Sequence, residues 1–365
     1  MAKAAEQPSG PIATAALLGH GAAEQAFLDT AAAGRMPHAW LLAGPRGIGK
    51  MTLAYRMARF QLAQQNGGGG LFGPPDDLFM DPDDAVFRRV LAGGHGDLRV
   101  LERTLNEKTK KMRGDIVVDQ VRGLSRFYTM TSAEGGWRVA IIDGAEEMNP
   151  NAANALLKLL EEPPENSLLL LVCHAPGRLL PTIRSRCRYL ALRPLAEPDA
   201  LEVLAQQAPD LDEADCLGLI RLAEGSPGRA LAMGEEGGLA AYGELLAMVR
   251  HLPELDFAAV HALGDKLNRA NNEGAYQVWV DLLRLWLSRL ARSSAVAGAM
   301  DGALGDAVAG EADLARRLTA AVGLDHWVEL WEKIGGLAMR AEQVNLDRKQ
   351  VVINAFMALQ STARP

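Results

Sequence analysis

A chain of 365 residues allows about two to three domains of roughly 100–200 residues each. Its 48% hydrophobic and 23% charged residues exclude wholesale disorder, and its net charge of −7 argues against a general polyanion binder while leaving room for a local basic surface. Apolar runs such as 168–172 are too short to span a membrane, residues 1–20 lack the apolar core of a signal peptide, and Cys173, Cys187 and Cys216 build neither a disulfide framework nor a four-thiolate zinc site, so the expectation is a reduced, cytoplasmic protein.

From 19 to 63 the pattern predicts a helix, a short strand over 39–43, a glycine turn and a second helix, with Leu53, Met57, Phe60 and Leu62 near helical spacing. Residues 66–82 collect Gly, Pro and Asp, including the run 67–70, and predict a flexible surface loop. Strands follow over 98–101, 138–142 and 167–172, with a helix over 151–162 stopped by Pro163 and Pro164. Alternating strands and helices imply a parallel sheet covered on both faces. Beyond Pro194 the strands cease. Short helices are predicted over 197–207, 211–224 and 228–233, then helices over 276–292 and 312–322 and a last one from Asp347. Residues 293–310, rich in Ala, Gly and Ser, read as a mobile connection. The fold class is α/β followed by all-α, divided at 1–194, 195–237 and 238–365.

The chemistry begins at Gly44-Pro-Arg-Gly47-Ile-Gly49-Lys50-Met51-Thr52, between a predicted strand and helix. Glycines there let successive N–H groups turn inward, the helix N-terminus adds positive potential, and the lysine supplies a point charge for phosphate. Met51 occupies the place of the Mg²⁺-binding hydroxyl and Thr52 lies one residue late; a thioether is a poor ligand for a hard cation. A second element, Val139-Ala-Ile-Ile-Asp143, is an apolar strand ending in a carboxylate, which either supports a metal or caps a helix. Gly144 follows where a water-orienting glutamate is common, and Glu146 and Glu147 are expected to turn away into the next loop. Arg186 sits among Arg178, Arg184, Arg188 and Arg193 with no acid between; such a stretch reads equally as a solvated basic surface, a DNA-backbone contact, or the setting of one functional arginine. Trp279, Leu282, Leu283, Trp286 and Leu290, like Trp327, Leu330, Trp331 and Ile334, recur at helical spacing and predict core or subunit interface.

Asn154-Ala-Leu-Leu-Lys158-Leu-Leu-Glu-Glu-Pro-Pro164, followed by a buried strand and Pro181-Thr-Ile-Arg-Ser185-Arg186-Cys187, resembles the clamp-loader branch of the AAA+ ATPases. His38-Ala39 and Gly225-Ser-Pro-Gly-Arg229-Ala-Leu231 fit the same branch, so the resemblance runs over about 18–231, with 345–350 extending it weakly. It implies an AAA+ parallel-sheet nucleotide-binding domain, a small helical lid and an all-α collar for oligomerisation. It implies that ATP or ADP is held on Gly44, Gly47, Gly49, Lys50, Thr52 and Asp143, with Arg229 as the lid's second sensor, a residue that otherwise reads as an exposed helix-start arginine. Arg186 becomes an arginine finger acting in trans on a neighbour's ATP, and His174 falls where relatives place a first sensor. Asn154 and Lys158, at i and i+4, read as a solvated face or as a contact to a subunit or DNA. The altered loop and Gly144 resemble a non-motor subunit, with little ATPase of its own, weakly held nucleotide and disfavoured Mg²⁺. Implied partners are gamma/tau-type and delta-type subunits, a sliding clamp and primed DNA. The zinc insertion of many relatives is not expected, because 65–97 contains no cysteine. The competing reading is a self-sufficient or motor-type ATPase with Thr52 serving the metal and Glu146 acting on water; a plain nucleic-acid binder using 178–193 is the third.

Overall fold

The computed structural model describes residues 10–64, 76–105, 112–134, 136–269, 273–296, 305–344 and 346–364. The predicted loop's whole glycine run (67–70), part of the Ala/Gly/Ser-rich connection and Asn345 lie outside them. The chain divides into two compact units, Met1–Asp199 and Ala200–Pro365. Among the described residues no helix is long and apolar enough to cross a membrane.

In the first unit the order is α1 (Gly21–Ala32), β1 (Ala39–Ala43), α2 (Lys50–Ala63), α3 (Ala85–Leu91), β2 (Leu98–Leu101), α4 (Val118–Thr129), β3 (Arg138–Asp143), α5 (Pro150–Glu161), β4 (Ser167–Cys173), α6 (Pro181–Arg184) and β5 (Arg188–Ala191), with α7 (Glu197–Gln207) crossing the boundary. The five strands form one sheet in the order β2-β3-β4-β1-β5, and every pairing is parallel. A sheet covered on both faces needs apolar residues at successive positions, and β1 and β4 are buried throughout. One face packs Leu41, Ile142 and Leu171 on Leu124 and Tyr128 of α4 and Leu156 of α5. On the other side α2 carries Leu53, Ala54, Met57 and Ala58, all fully buried. The α5 helix starts where Asn149 accepts the N–H of Ala152 at 2.9 Å and Pro150 presets the first turn.

β5 has no counterpart in the sequence reading, which takes 178–193 as one basic stretch. It is an edge strand, pairing only with β1 in register Trp40↔Arg188 to Ala43↔Ala191. Arg188, Tyr189 and Ala191 are exposed, so the strand lacks the apolar alternation that marks a half-buried one.

The second unit is helical: α8 (Glu213–Leu222), α9 (Pro227–Glu235), α10 (Gly238–Val249), α11 (Phe257–Leu267), α12 (Glu273–Val296), α13 (Glu311–Ala321), α14 (Leu324–Val344) and α15 (Arg348–Thr362). α12 packs along α14 and α11 along α15. Trp279, Trp286 and Trp327 are buried in this core, so the tryptophan stripes are used within the chain; Trp331, at 36% exposure, is the exception. At both described ends of the predicted connection over 293–310 the chain forms helix or internal hydrogen bonds. Helix α12 continues to Val296, and Gly305 and Asp306 offer their carbonyls to Arg289 and Arg221 at 3.0 and 2.9 Å.

Candidate functional site

The glycine loop leaves the C-terminal end of β1 and enters α2, as the motif requires. Gly44 admits no side chain, because a Cβ there would lie 2.3 Å from the carbonyl oxygen of Leu192 on the segment after β5. Gly49, at φ +98°, sets the left-handed entry into α2. His20, one residue before α1, bonds Ile48 O through Nε2 at 2.6 Å and braces the loop from behind; since a carbonyl only accepts, Nε2 carries the proton. Burial holds the His20 imidazole below its usual pKa.

Lys50 opens α2 and is 3% exposed. Its Nζ donates to Gly44 O at 2.7 Å and to Pro45 O. Burial drives the ammonium from 10.5 down to about 8, against the opposing pull of Asp143 and Glu146. Thr52, two residues on, is buried. Asp143 ends β3 beside β4, in register with Val172, and its Oδ1 lies 3.6 Å from His174 Nε2 just beyond β4. That oxygen is buried without a hydrogen-bond partner among the described residues.

Two carboxylates depart from the sequence reading. Gly144 adopts φ +71° and Ala145–Glu147 form a 3₁₀ turn, which folds the chain back instead of leading it away. Glu146 is thereby buried, accepting the N–H of His174 at 2.9 Å and joining the electrostatic surroundings of Lys50. Glu147 pairs with Arg46 of the loop and with Arg103 Nε at 2.8 Å. A Cβ on Gly144 would meet only the movable Glu147 carboxylate at 2.8 Å, so it is the left-handed conformation that disfavours the usual glutamate at this position.

The structure thus brings together the loop, Lys50, Asp143, Glu146 and His174. Loop N–H groups and Lys50 fit a phosphate, and the orphaned Asp143 oxygen fits a donor or cation. The metal half fits less well, because Met51 stands where the hydroxyl belongs and a thioether is a poor ligand for a hard cation.

Arg186 stands elsewhere. It follows α6 and precedes β5 by two residues, so it lies toward the end of the sheet where the parallel strands begin, whereas the glycine loop leaves β1 at the end where they finish. Four residues of β1 separate Trp40, the partner of Arg188, from Gly44, a span of roughly 13 Å. Arg188 stacks its guanidinium over the Trp40 ring at 5.1 Å. Arg178 and Asn154 line a small cavity with Glu146 and Met148, of about 250 Å³. Arg229 belongs to the second unit, exposed near the start of α9. There it lines a cavity of about 360 Å³ with Met233, Asp281, Arg284 and Trp331. His20 and Glu146 are the members that sequence reasoning missed or misplaced.

A parallel sheet in this order, with a glycine loop after β1 and an acid ending β3, defines an AAA+-type α/β fold. The family described as DNA polymerase III, delta subunit, matches residues 19–196, and this segment is of the clamp-loader delta-prime type. DNA polymerase III subunit delta' of Pseudomonas aeruginosa is 42% identical over 190 residues, 52% of this chain and 53% of the relative. The delta' subunit of Escherichia coli is 36% identical over 201 residues, 55% of each. The gamma/tau subunit of Mycobacterium bovis is 31% identical over 205 residues, 55% of this chain and 33% of the relative. The chain spans about half the length of the delta' relatives it matches.

Proposed function

We propose that the chain is a mainly non-hydrolysing clamp-loader subunit that supplies Arg186 to ATP bound by a neighbouring gamma/tau-type subunit, and so helps load a sliding clamp onto primed DNA in the cytoplasm. The observation that carries this reading is the separation of Arg186 from the chain's own phosphate loop by the length of β1. An arginine so placed cannot serve its own nucleotide, while its planar fork suits the charge developing on another's phosphoryl group. The left-handed backbone at Gly144 and the thioether of Met51 support a weak or idle pocket at home. Any nucleotide there is held weakly by loop N–H groups, Lys50, Thr52 and Asp143, with Arg229 as second sensor, while Met51 disfavours Mg²⁺. One observation favours the second reading, a self-sufficient ATPase: Glu146 is buried close enough to act on Lys50 electrostatically. Its Oε1 is already committed to the His174 N–H, which counts against a base.

The test is phosphate release by the isolated chain and by a reconstituted assembly. The isolated chain should stay at the blank. Arg186→Ala should assemble normally by sedimentation and lower turnover of the complex by about 10³-fold, or less if partner arginines share the role. Arg186→Lys should recover only part. Normal turnover in a fully assembled Arg186→Ala complex, or robust hydrolysis by the isolated chain that vanishes in Lys50→Ala, would overturn the reading.

A further inference from the structure

We infer that Glu161 is a latch on Arg186, holding the guanidinium in reserve until a neighbour's phosphate competes for it; this rests on the finger reading above. Glu161 is the last residue of α5, and its Oε1 accepts from Nη2 of Arg186 at 2.8 Å. Nη1 donates to Thr182 O at 3.0 Å, so both terminal nitrogens are engaged within the chain. The counter-charge comes from α5, because 178–193 contains no acid. The negative end of the α5 dipole lies at the same place and adds to the attraction.

A carboxylate on the guanidinium cancels the charge that a finger must offer. Phosphate oxygens compete for the same N–H groups, and they carry more charge in a geometry the fork matches. Release is easy because the pair is partly exposed, 36% for Arg186 and 51% for Glu161. Such pairs shift an equilibrium by about fivefold at most. The latch therefore restrains idle turnover without blocking the engaged state.

The assembly of full-length chain with ATP-hydrolysing partners tests this directly. Without clamp or DNA, Glu161→Gln should raise phosphate release about two- to fivefold. That gain should shrink with added salt, which loosens the wild-type pair too. Glu162→Gln, one residue on and outside the contact, should leave the rate unchanged, and Glu161→Gln with Arg186→Ala should match Arg186→Ala alone. Unchanged or lower release in Glu161→Gln, or an equal gain in Glu162→Gln, overturns the latch while Arg186→Ala still lowers turnover. If Arg186→Ala changes nothing in the assembled complex, the finger reading fails and the latch falls with it.

Discussion

Lys50 carries its ammonium in a setting that burial disfavours, with Asp143 and Glu146 close enough to resist its loss. Its folded pKa of about 8 lies below the unfolded value of 10.5, so between those pH values the unfolded chain binds the extra proton. This group therefore costs stability at neutral pH, and the cost is relieved as pH rises from about 8 to 10.5. Phosphate binding runs the other way. Affinity for ADP should hold below pH 8 and fall above it, by up to about tenfold per unit, as the ammonium titrates. Lys50→Arg should remove that dependence, since a guanidinium stays charged. Calorimetric titration of both proteins at pH 7 and 9.5 reads the difference. A wild-type affinity that is flat across this range would mean that Lys50 is not the phosphate-bearing charge. The loop was legible in the sequence because its chemistry is contiguous. His20 and Glu146 were not, because each meets its partner 28 residues away.

Among elements, α4 and β4 show how one polar atom enters an apolar layer. Tyr128 is fully buried against the sheet, which pushes the phenol well above its ordinary pKa, and its hydroxyl donates to Leu168 O at 2.8 Å. Tyr128→Phe should keep the packing and lose the bond, lowering unfolding free energy by about 1 kcal/mol with the urea slope unchanged. A loss near zero would mean that Leu168 O is satisfied without it. β4 and α5 could be read from sequence because burial on both faces writes an unbroken apolar run, and because Asn149, Pro150, Pro163 and Pro164 punctuate the helix. β5 could not, since its stability comes from pairing with β1 and its side chains carry no matching pattern. The tryptophan stripes were legible as buried faces; only the structure assigns them to this chain's own core.

At the scale of the molecule, the second unit is tied by one buried ion pair. Glu311 accepts from Arg289 Nε at 2.6 Å, from Nη2 at 3.0 Å, from the Tyr242 hydroxyl at 2.6 Å and from Ala307 N at 2.9 Å. Arg289 also donates to Arg221 O at 3.0 Å, so α8, α10, α12 and α13 meet at this cluster. Glu311→Ala leaves a buried guanidinium without its counter-charge and should cost about 3–5 kcal/mol, read as a lower denaturation midpoint. Arg289→Met with Glu311→Leu should recover most of that loss, because the desolvation penalty goes with the charges. A single mutant as stable as the wild type would show that water reaches the cluster.

Parallel strands have a direction, and β1 with β5 gives the first unit two unlike ends, Arg186 toward one and the glycine loop at the other. On the proposed role a head-to-tail succession brings each arginine to the next member's phosphate, and that contact is heterologous. A row built this way has a terminus that gives its arginine and receives none. If its own pocket is idle, as proposed, this chain can occupy that place without loss, and the proposed role then predicts an open row with a first member.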